Sequence, residues 1–197
     1  YIGNHSHSHD YLTKFDFEKF VKDIDKSIRI FNDKLGYNPI FFSYPFGEYT
    51  LDQKNYISDN FEFAFGQHSG VIDLNKDRYE LPRFPINEKY GELKRFKDVI
   101  SYLPLQYKVI KPENKYMNIE GNPPKMVIEF FKDQENLENI NCFSNEGSKW
   151  RKTNIVLNNN TLEVNFVEKF NERRGRINCS LKDDKGWRFA GFQFVQN

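Results

Sequence analysis

The pattern that most constrains the fold is a long amphipathic stretch near the start of the chain. Between Asp16 and Leu35, apolar residues recur at steps of three and four, which predicts an α-helix with one buried face. Thr13 is a candidate for its amino-terminal cap, and Gly36 is a candidate for its carboxyl-terminal stop. The apolar face consists of Phe17, Phe20, Val21, Ile24, Ile28, Phe31 and Leu35.

Shorter apolar segments follow this helix in alternation with one more helical stretch. Residues 38–43 predict a buried strand, residues 52–59 a second helix and residues 61–65 another strand. Residues 81–86 predict a further extended segment, which two prolines interrupt. Because strands and helices alternate, we expect a parallel α/β fold, in which chemistry lies at the carboxyl ends of the strands.

The character of the sequence changes near residue 105. Prolines and a glycine predict a linker over residues 106–124, and alternating segments separated by turn residues fill residues 125–197. Short strands at regular spacing favour an Ig-like β-sandwich, preceded by an α/β domain over residues 1–105. The alternating segments are Lys125–Phe131, Ile140–Phe143, Trp150–Val156, Thr161–Phe166, Arg176–Leu181 and Trp187–Val195.

The charge balance of the 197 residues excludes some classes of partner. With 29 basic and 28 acidic residues the net charge is +1, so no basic surplus favours nucleic acid. No apolar run approaches the roughly 20 residues of a membrane span. The chain begins at Tyr1, inside what we expect to be a longer domain, and a signal upstream would imply a periplasmic, cell-surface or secreted protein.

The cysteines and tryptophans in the last third of the chain lead to two structural predictions. Cys142 and Cys179 form either one disulfide across the sandwich or two buried thiols. Trp150 and Trp187 are expected in the core, since sandwich strands usually bury a tryptophan.

Three of the four histidines lie within five residues at the start of the chain. His5 and His9 are four residues apart, so their imidazoles can face the same way, whereas His7 points elsewhere. Two imidazoles, a carboxylate and a water form the usual open catalytic zinc site. The alternative is a solvated, tag-like stretch, but the flanking residues are not tag sequence and a helix follows directly.

Residues 2–12 (IGNHSHSHDYL) resemble the second motif of the NodB-type polysaccharide deacetylases. The resemblance implies that His5 and His9 are ligands of a divalent metal, for which zinc is the predicted ion. Asp10 is adjacent to these ligands and is a secondary candidate, although its counterpart in the family is an ordinary loop or helix-start residue.

Residues 42–49 (FSYPFGEY) resemble the third motif of the same family. The resemblance implies that Phe46 contributes a backbone N–H to the oxyanion and a wall to the acetate pocket. With Tyr44 and Tyr49 it would form an apolar floor that binds the substrate. The arginine of this motif has no counterpart here, where Ser43 lies nearby.

Residues 65–71 (FGQHSGV) and 81–86 (LPRFPI) resemble stretches that follow the third motif in a subset of these enzymes. Arg83 would then replace the missing arginine and orient a carboxylate; the alternative is a surface or interdomain ion pair. His68 would contact the substrate or protonate the leaving amine; the alternative is a loop residue that lines the cleft.

The resemblance covers residues 1–100 and implies a partial (β/α) barrel of the polysaccharide deacetylase type, followed by a sandwich like the tail of some bacterial deacetylases. The family's Asp-Asp motif, which supplies the general base and third metal ligand, is expected upstream of Tyr1. The late Leu-x-His motif is not visible.

The implied function is metal-dependent removal of N-acetyl or O-acetyl groups from a polysaccharide or amino-sugar oligosaccharide. One alternative is a non-catalytic glycan-binding or structural protein on a degenerate deacetylase scaffold. Another is a different metal hydrolase on a similar barrel.

Overall fold

The computed structural model describes residues 1–73 and 75–196, which divide into two units. The first unit contains Tyr1–Gln67 and the segment that ends at Arg83. The second contains His68–Asp73 and the chain from Phe84 onward. The division does not coincide with the boundary expected at residue 105, so the bounds of the catalytic domain and linker stay a prediction.

The amphipathic stretch forms the long helix of the first unit, α1 (Phe17–Leu35). The side chain of Asp16 caps it by accepting the N–H of Lys19 at 2.8 Å. Gly36 ends the helix at φ +75°, which confirms the predicted stop. The prediction that Thr13 is the cap is wrong, because this residue lies in a preceding 3₁₀ turn.

Two parallel strands lie beside this helix. β1 (Phe41–Ser43) pairs in parallel with β2 (Phe63–Phe65), and α2 (Leu51–Asn60) connects them. Single parallel bridges extend the sheet on both sides, from Asn4 to β1 and from Leu81 to β2. The predicted α/β arrangement is confirmed, whereas closure into a barrel stays a prediction.

The core of the first unit lies between the helices and these strands. The two helices contribute apolar residues from their inner faces, and the strands contribute Phe42 and Ala64. Such side chains stabilise the fold because their apolar surface leaves water. The buried residues of this core are Leu12, Phe20, Ile24, Phe42, Tyr44, Ile57, Phe61 and Ala64.

The second unit is rich in short antiparallel strands. Its elements are α3 (Leu93–Ser101), β3 (Leu103–Pro104), β4 (Val109–Lys111), β5 (Tyr116–Met117), β6 (Met126–Glu129), β7 (Asn141–Ser144), β8 (Arg151–Lys152), β9 (Asn154–Asn158), β10 (Thr161–Asn165), β11 (Arg174–Asp183) and β12 (Gly186–Gln196). One sheet has the order β4-β6-β10-β9, and another has the order β3-β12-β11-β7-β8 with β5 beside β12. Residues of both sheets share one hydrophobic core, which includes Ile128, Leu162, Ile177 and Phe192. The β-rich character is confirmed, and an Ig-like sandwich stays a prediction.

The tryptophans and cysteines of this unit correct two expectations. Trp150 is 53% exposed and Trp187 is 48% exposed, so the predicted core positions are wrong. Cys142 and Cys179 form a disulfide, and they face each other in register on β7 and β11. The bond therefore joins neighbouring strands of one sheet rather than crossing between two sheets.

In the part of the chain that the structure describes, no helix combines the length and apolar character that crossing a membrane requires.

Candidate functional site

The histidines lie on a loop of residues 4–10, here called the His loop, which starts at the edge of the parallel sheet. The N–H of Asn4 donates to Phe41 O at 2.8 Å, and the N–H of Ser43 donates to Asn4 O at 2.9 Å. Because neighbouring parallel strands end at the same edge, His5 emerges where β1 ends. The turn at residues 44–47 follows β1 at this same edge.

The structure brings the rings of His5 and His9 together. Their centroids are 4.8 Å apart with an angle of 75° between the planes, and both residues are exposed. Nδ1 of His5 lies 2.6 Å from the carbonyl oxygen of Ser43. A carbonyl only accepts, so Nδ1 carries the proton and Nε2 of His5 keeps a lone pair for a ligand.

The proximity of the two rings depends on an unusual backbone conformation. Ser6 and His9 have φ values of 65° and 56°, in the left-handed region that residues with a side chain seldom occupy. Hydrogen bonds hold this turn: Ser6 Oγ accepts the N–H of His9 at 3.0 Å, and Asn4 Oδ1 accepts the N–H of Ser6 at 2.9 Å. Strain of this kind persists where the surrounding contacts define the conformation.

Polar side chains of α1 anchor the His loop from below. The buried carboxylate of Asp23 accepts the N–H of His7 at 2.9 Å and the N–H of Ser8 at 3.0 Å. The buried hydroxyl of Ser27 accepts from the amide of Asn4 at 2.9 Å. His7 thus enters the network through its backbone. We did not predict these contacts from the sequence, although the polar residues interrupt the apolar face of α1.

The turn after β1 places an aromatic ring against the histidines. Phe46 has φ 59° and ψ 4°, and Gly47 follows with a positive φ and donates its N–H to Tyr44 O at 2.9 Å. The Phe46 ring lies 5.1 Å from that of His9, edge to face, and stacks on Tyr11 at 4.1 Å. The site thus unites His5, His9 and Phe46, three of the residues singled out from the sequence.

The two tyrosines expected to contact substrate lie deeper. Tyr44 is 1% exposed, and its hydroxyl has no hydrogen-bond partner among the described residues. Burial raises the pKa of Tyr44 well above its usual value, and Asp77 and Glu80 add to the effect. Tyr49 is half-buried and donates to Glu80 Oε2 at 2.6 Å; burial, then Glu80, raises its pKa well above the usual value. Their contact with a sugar stays a prediction.

A buried ion pair lies beside these tyrosines. Lys54 Nζ, on α2, lies 2.6 Å from Asp77 Oδ2 and 3.8 Å from Glu80 Oε2. The Lys54 side chain is 10% exposed, so removing either carboxylate would leave a buried charge less well compensated. The pair therefore fixes the segment before Leu81 against α2 and holds the carboxylate that binds Tyr49.

The comparisons with known proteins give one match. A family model for polysaccharide deacetylase matches residues 1–61, a range that includes the His loop, the turn with Phe46 and α2. The match supports a partial polysaccharide deacetylase domain in this segment. Neither the curated proteins nor the solved structures yield a match.

Two further residues, Arg83 and His68, were predicted to act in catalysis. Arg83 is exposed at the end of the first unit, and His68 belongs to the second unit. The roles of both residues stay predictions. Asp10 is exposed, and its backbone N–H donates to Ser8 Oγ at 3.2 Å.

The predicted metal ligands His5 and His9 lie side by side, but their role as ligands stays a prediction. Within residues 1–73 and 75–196, no group of three or more His, Cys, Asp or Glu side chains could hold a metal ion. The tautomer of His5 does fit a metal ligand, because ligating histidines usually donate their other N–H to a carbonyl or carboxylate. The donor set therefore fits part of an open zinc site.

Proposed function

We propose that this protein is a metal-dependent hydrolase that removes acetyl groups from a polysaccharide or oligosaccharide. The observation that carries the proposal is the His5 ring, whose Nδ1–H is committed to Ser43 O while His9 lies beside it. A solvated, tag-like stretch of histidines would not require a strained turn that a buried carboxylate anchors. The deacetylase segment supports the choice of reaction.

His5 and His9 would hold a divalent ion, most simply zinc, together with a carboxylate. Such an ion, when bound, lowers the pKa of its water toward about 7 and polarises the acetyl carbonyl. Exposure of both imidazoles leaves room for a water and for the substrate. The His loop contributes by holding the two rings in place before the ion arrives.

The turn after β1 would receive the acetyl group. We assign the backbone N–H of Phe46 to the oxyanion of the tetrahedral intermediate, as a fixed dipole requires little reorganisation during the reaction. The ring of Phe46, stacked on Tyr11, would form the apolar wall for the methyl group. In this proposal, His68 protonates the departing amine and Arg83 orients the carboxylate of the general base.

The test is zinc binding by single-histidine variants of the protein. We expect one equivalent of zinc per chain, and His5→Ala and His9→Ala should each weaken binding by about 100-fold or more, since both remove a direct ligand. His7→Ala is the matched control, because this exposed residue joins the loop network through its backbone N–H. Calorimetric titration with zinc measures all three, and acetate release from an acetylated chito-oligosaccharide follows the activity.

Two results would contradict the proposal. One is a His7→Ala variant that loses as much zinc affinity as the other two, which would indicate non-specific binding by a His-rich segment. The other is stoichiometric zinc binding without acetate release from any acetylated glycan, which would favour a glycan-binding protein on a deacetylase scaffold.

A further inference from the structure

The end of the β11–β12 hairpin borders an open cavity of about 490 Å³ that belongs to the second unit. A cavity of this size falls within the range of small-ligand sites, about 300–1,000 Å³. Its lining combines a single large aromatic ring, that of Trp187, with polar and charged side chains from the hairpin and from residues 136–141. This composition indicates a ligand that is polar at its rim and apolar on one face.

Trp187 lies on the outward face of the sheet. It pairs in register with Lys182, which is also exposed, and the Lys182 ammonium lies 5.9 Å from the centre of the indole ring. The side chain is 48% exposed although the same strand buries Phe192 and Phe194 in the core further along. Lys182 lies over one face of the ring, so the other face of this exposed indole is the platform that a ligand would use.

Hydrogen bonds within the second unit fix the polar side chains of Asn141 and Asp183, which line the cavity beside Trp187. Asn141 is opposite Ser180 in the sheet, and its amide N–H donates to Asn139 O at 3.0 Å, a bond that uses one of its donors. Asp183 accepts the N–H groups of Lys185 and Gly186 and also the Arg188 side chain, which fixes the hairpin turn.

The next residue, Asp184, is exposed at the tip of this hairpin and also lines the cavity. A carboxylate and side-chain amides therefore surround the indole. Carboxylates accept hydrogen bonds from hydroxyl groups, and amides both donate and accept.

We infer that this cavity is a carbohydrate-binding site, in which one sugar ring of an oligosaccharide stacks on Trp187. A pyranose ring presents an apolar C–H face and a rim of hydroxyls, which matches an indole bordered by Asn141 and Asp184. The charges around the cavity are mixed, since Lys182 lines it beside Asp184 and Asp183 is paired with Arg188, so no cationic surplus favours a phosphate-bearing ligand. A purely apolar ligand would leave the amide and carboxylate groups without partners.

This site goes beyond the proposed deacetylation, because it lies in the second unit and uses no metal. It would hold a glycan chain without transforming it. Its success or failure is therefore separable from that of the His loop.

The experiment is calorimetric titration of the protein with three tetrasaccharides: fully N-acetylated chitotetraose, its de-N-acetylated form and cellotetraose. We expect at least one of them to bind, and Trp187→Ala to weaken that binding about tenfold or more. Trp150→Ala is the matched control, since this residue is also exposed in the same unit but does not line the cavity. A second variant, Asp184→Asn, should weaken binding less and leave the midpoint of thermal unfolding unchanged.

His5→Ala separates this site from the proposed deacetylase site when the ligand is cellotetraose or de-N-acetylated chitotetraose, because neither sugar carries an acetyl group. With these sugars we expect His5→Ala to bind as tightly as the wild type. Loss of binding in His5→Ala with full binding in Trp187→Ala would overturn the inference. So would the absence of binding to all three sugars, or equal weakening by the two tryptophan variants.

Discussion

Replacing Asp23 by alanine tests whether the His loop is held from the helix beneath it. The carboxylate is 9% exposed and accepts two backbone N–H groups, from His7 and Ser8, at 2.9 and 3.0 Å. Asp23→Asn retains the volume but offers one acceptor oxygen, so it keeps at most one of the two bonds. Asp33→Asn is the matched control, because Asp33 is exposed on the same helix.

The loss of unfolding free energy in Asp23→Ala follows from these two hydrogen bonds and from two effects that reduce it. A hydrogen bond to a charged group contributes about 1.5–3 kcal/mol, so the pair has a gross value of about 3–6 kcal/mol. Two effects reduce the loss: His7 and Ser8 are exposed, so their N–H groups can bind water, and the variant removes a desolvated carboxylate. We expect Asp23→Ala to lower the free energy of unfolding by about 2–3 kcal/mol, and Asp23→Asn by about half of that.

Scanning calorimetry measures the stability, and zinc titration measures the consequence for the site. In Asp23→Ala the midpoint should fall by about 4–12 °C, since 1 kcal/mol shifts the midpoint of a chain of this length by about 2–4 °C. Zinc affinity should fall about 10- to 100-fold, since the residue acts on the ligands indirectly. A variant that loses stability but binds zinc as tightly as the wild type would refute the positioning role. A loss in Asp33→Asn as large as that in Asp23→Ala would refute the hydrogen-bond account.

Three further predictions concern other parts of the fold. Gly36→Ala should lower the free energy of unfolding, measured by calorimetry, by about 1 kcal/mol because φ is +75°, and Gly36→Asn should lower it less. Nothing lies within 4 Å of the added Cβ, so equal losses in the two variants would contradict a purely conformational cause. Alanine at both Cys142 and Cys179 should lower the free energy of unfolding by about 3–4 kcal/mol in guanidinium, since the disulfide joins residues 37 apart; an unchanged midpoint would exclude this contribution. The hydrogen bond from Arg188 lowers the pKa of Asp183 in the folded state. The stability that this carboxylate contributes is therefore present above about pH 4 and is lost as the pH falls through the lower pKa of the folded state. Asp183→Asn should reduce the dependence of the unfolding free energy on pH in this acidic range, and an unchanged slope would refute the linkage.

The elements predicted best are those whose patterns are strong and local. The period of apolar residues sets the extent of α1, and Gly36 ends it because a left-handed cap suits glycine. The second helix, expected over residues 52–59, occupies Leu51–Asn60, and the next strand is shorter than expected, at Phe63–Phe65. The closeness of His5 and His9 also follows from local spacing, although their left-handed turn does not.

The features that the sequence did not reveal depend on tertiary partners. Asp23 interrupts the apolar face of α1, and its burial is explained only by the two N–H groups of the His loop that its carboxylate accepts. The strands β4 and β5 lie in the expected linker, since two- and three-residue strands are stabilised by their neighbours rather than by propensity. Trp187 was expected in the core because sandwich strands usually bury a tryptophan, but it pairs with the exposed Lys182 near the end of the hairpin.

The distribution of aromatic residues has a practical consequence for spectroscopy. Both tryptophans of the chain lie in the second unit, so intrinsic indole fluorescence reports the unfolding of that unit alone. The helices α1 and α2 lie in the first unit, so far-ultraviolet circular dichroism is weighted toward it. Recording both signals along one denaturant gradient therefore shows, without labels, whether the two units lose their structure in a single step or one after the other.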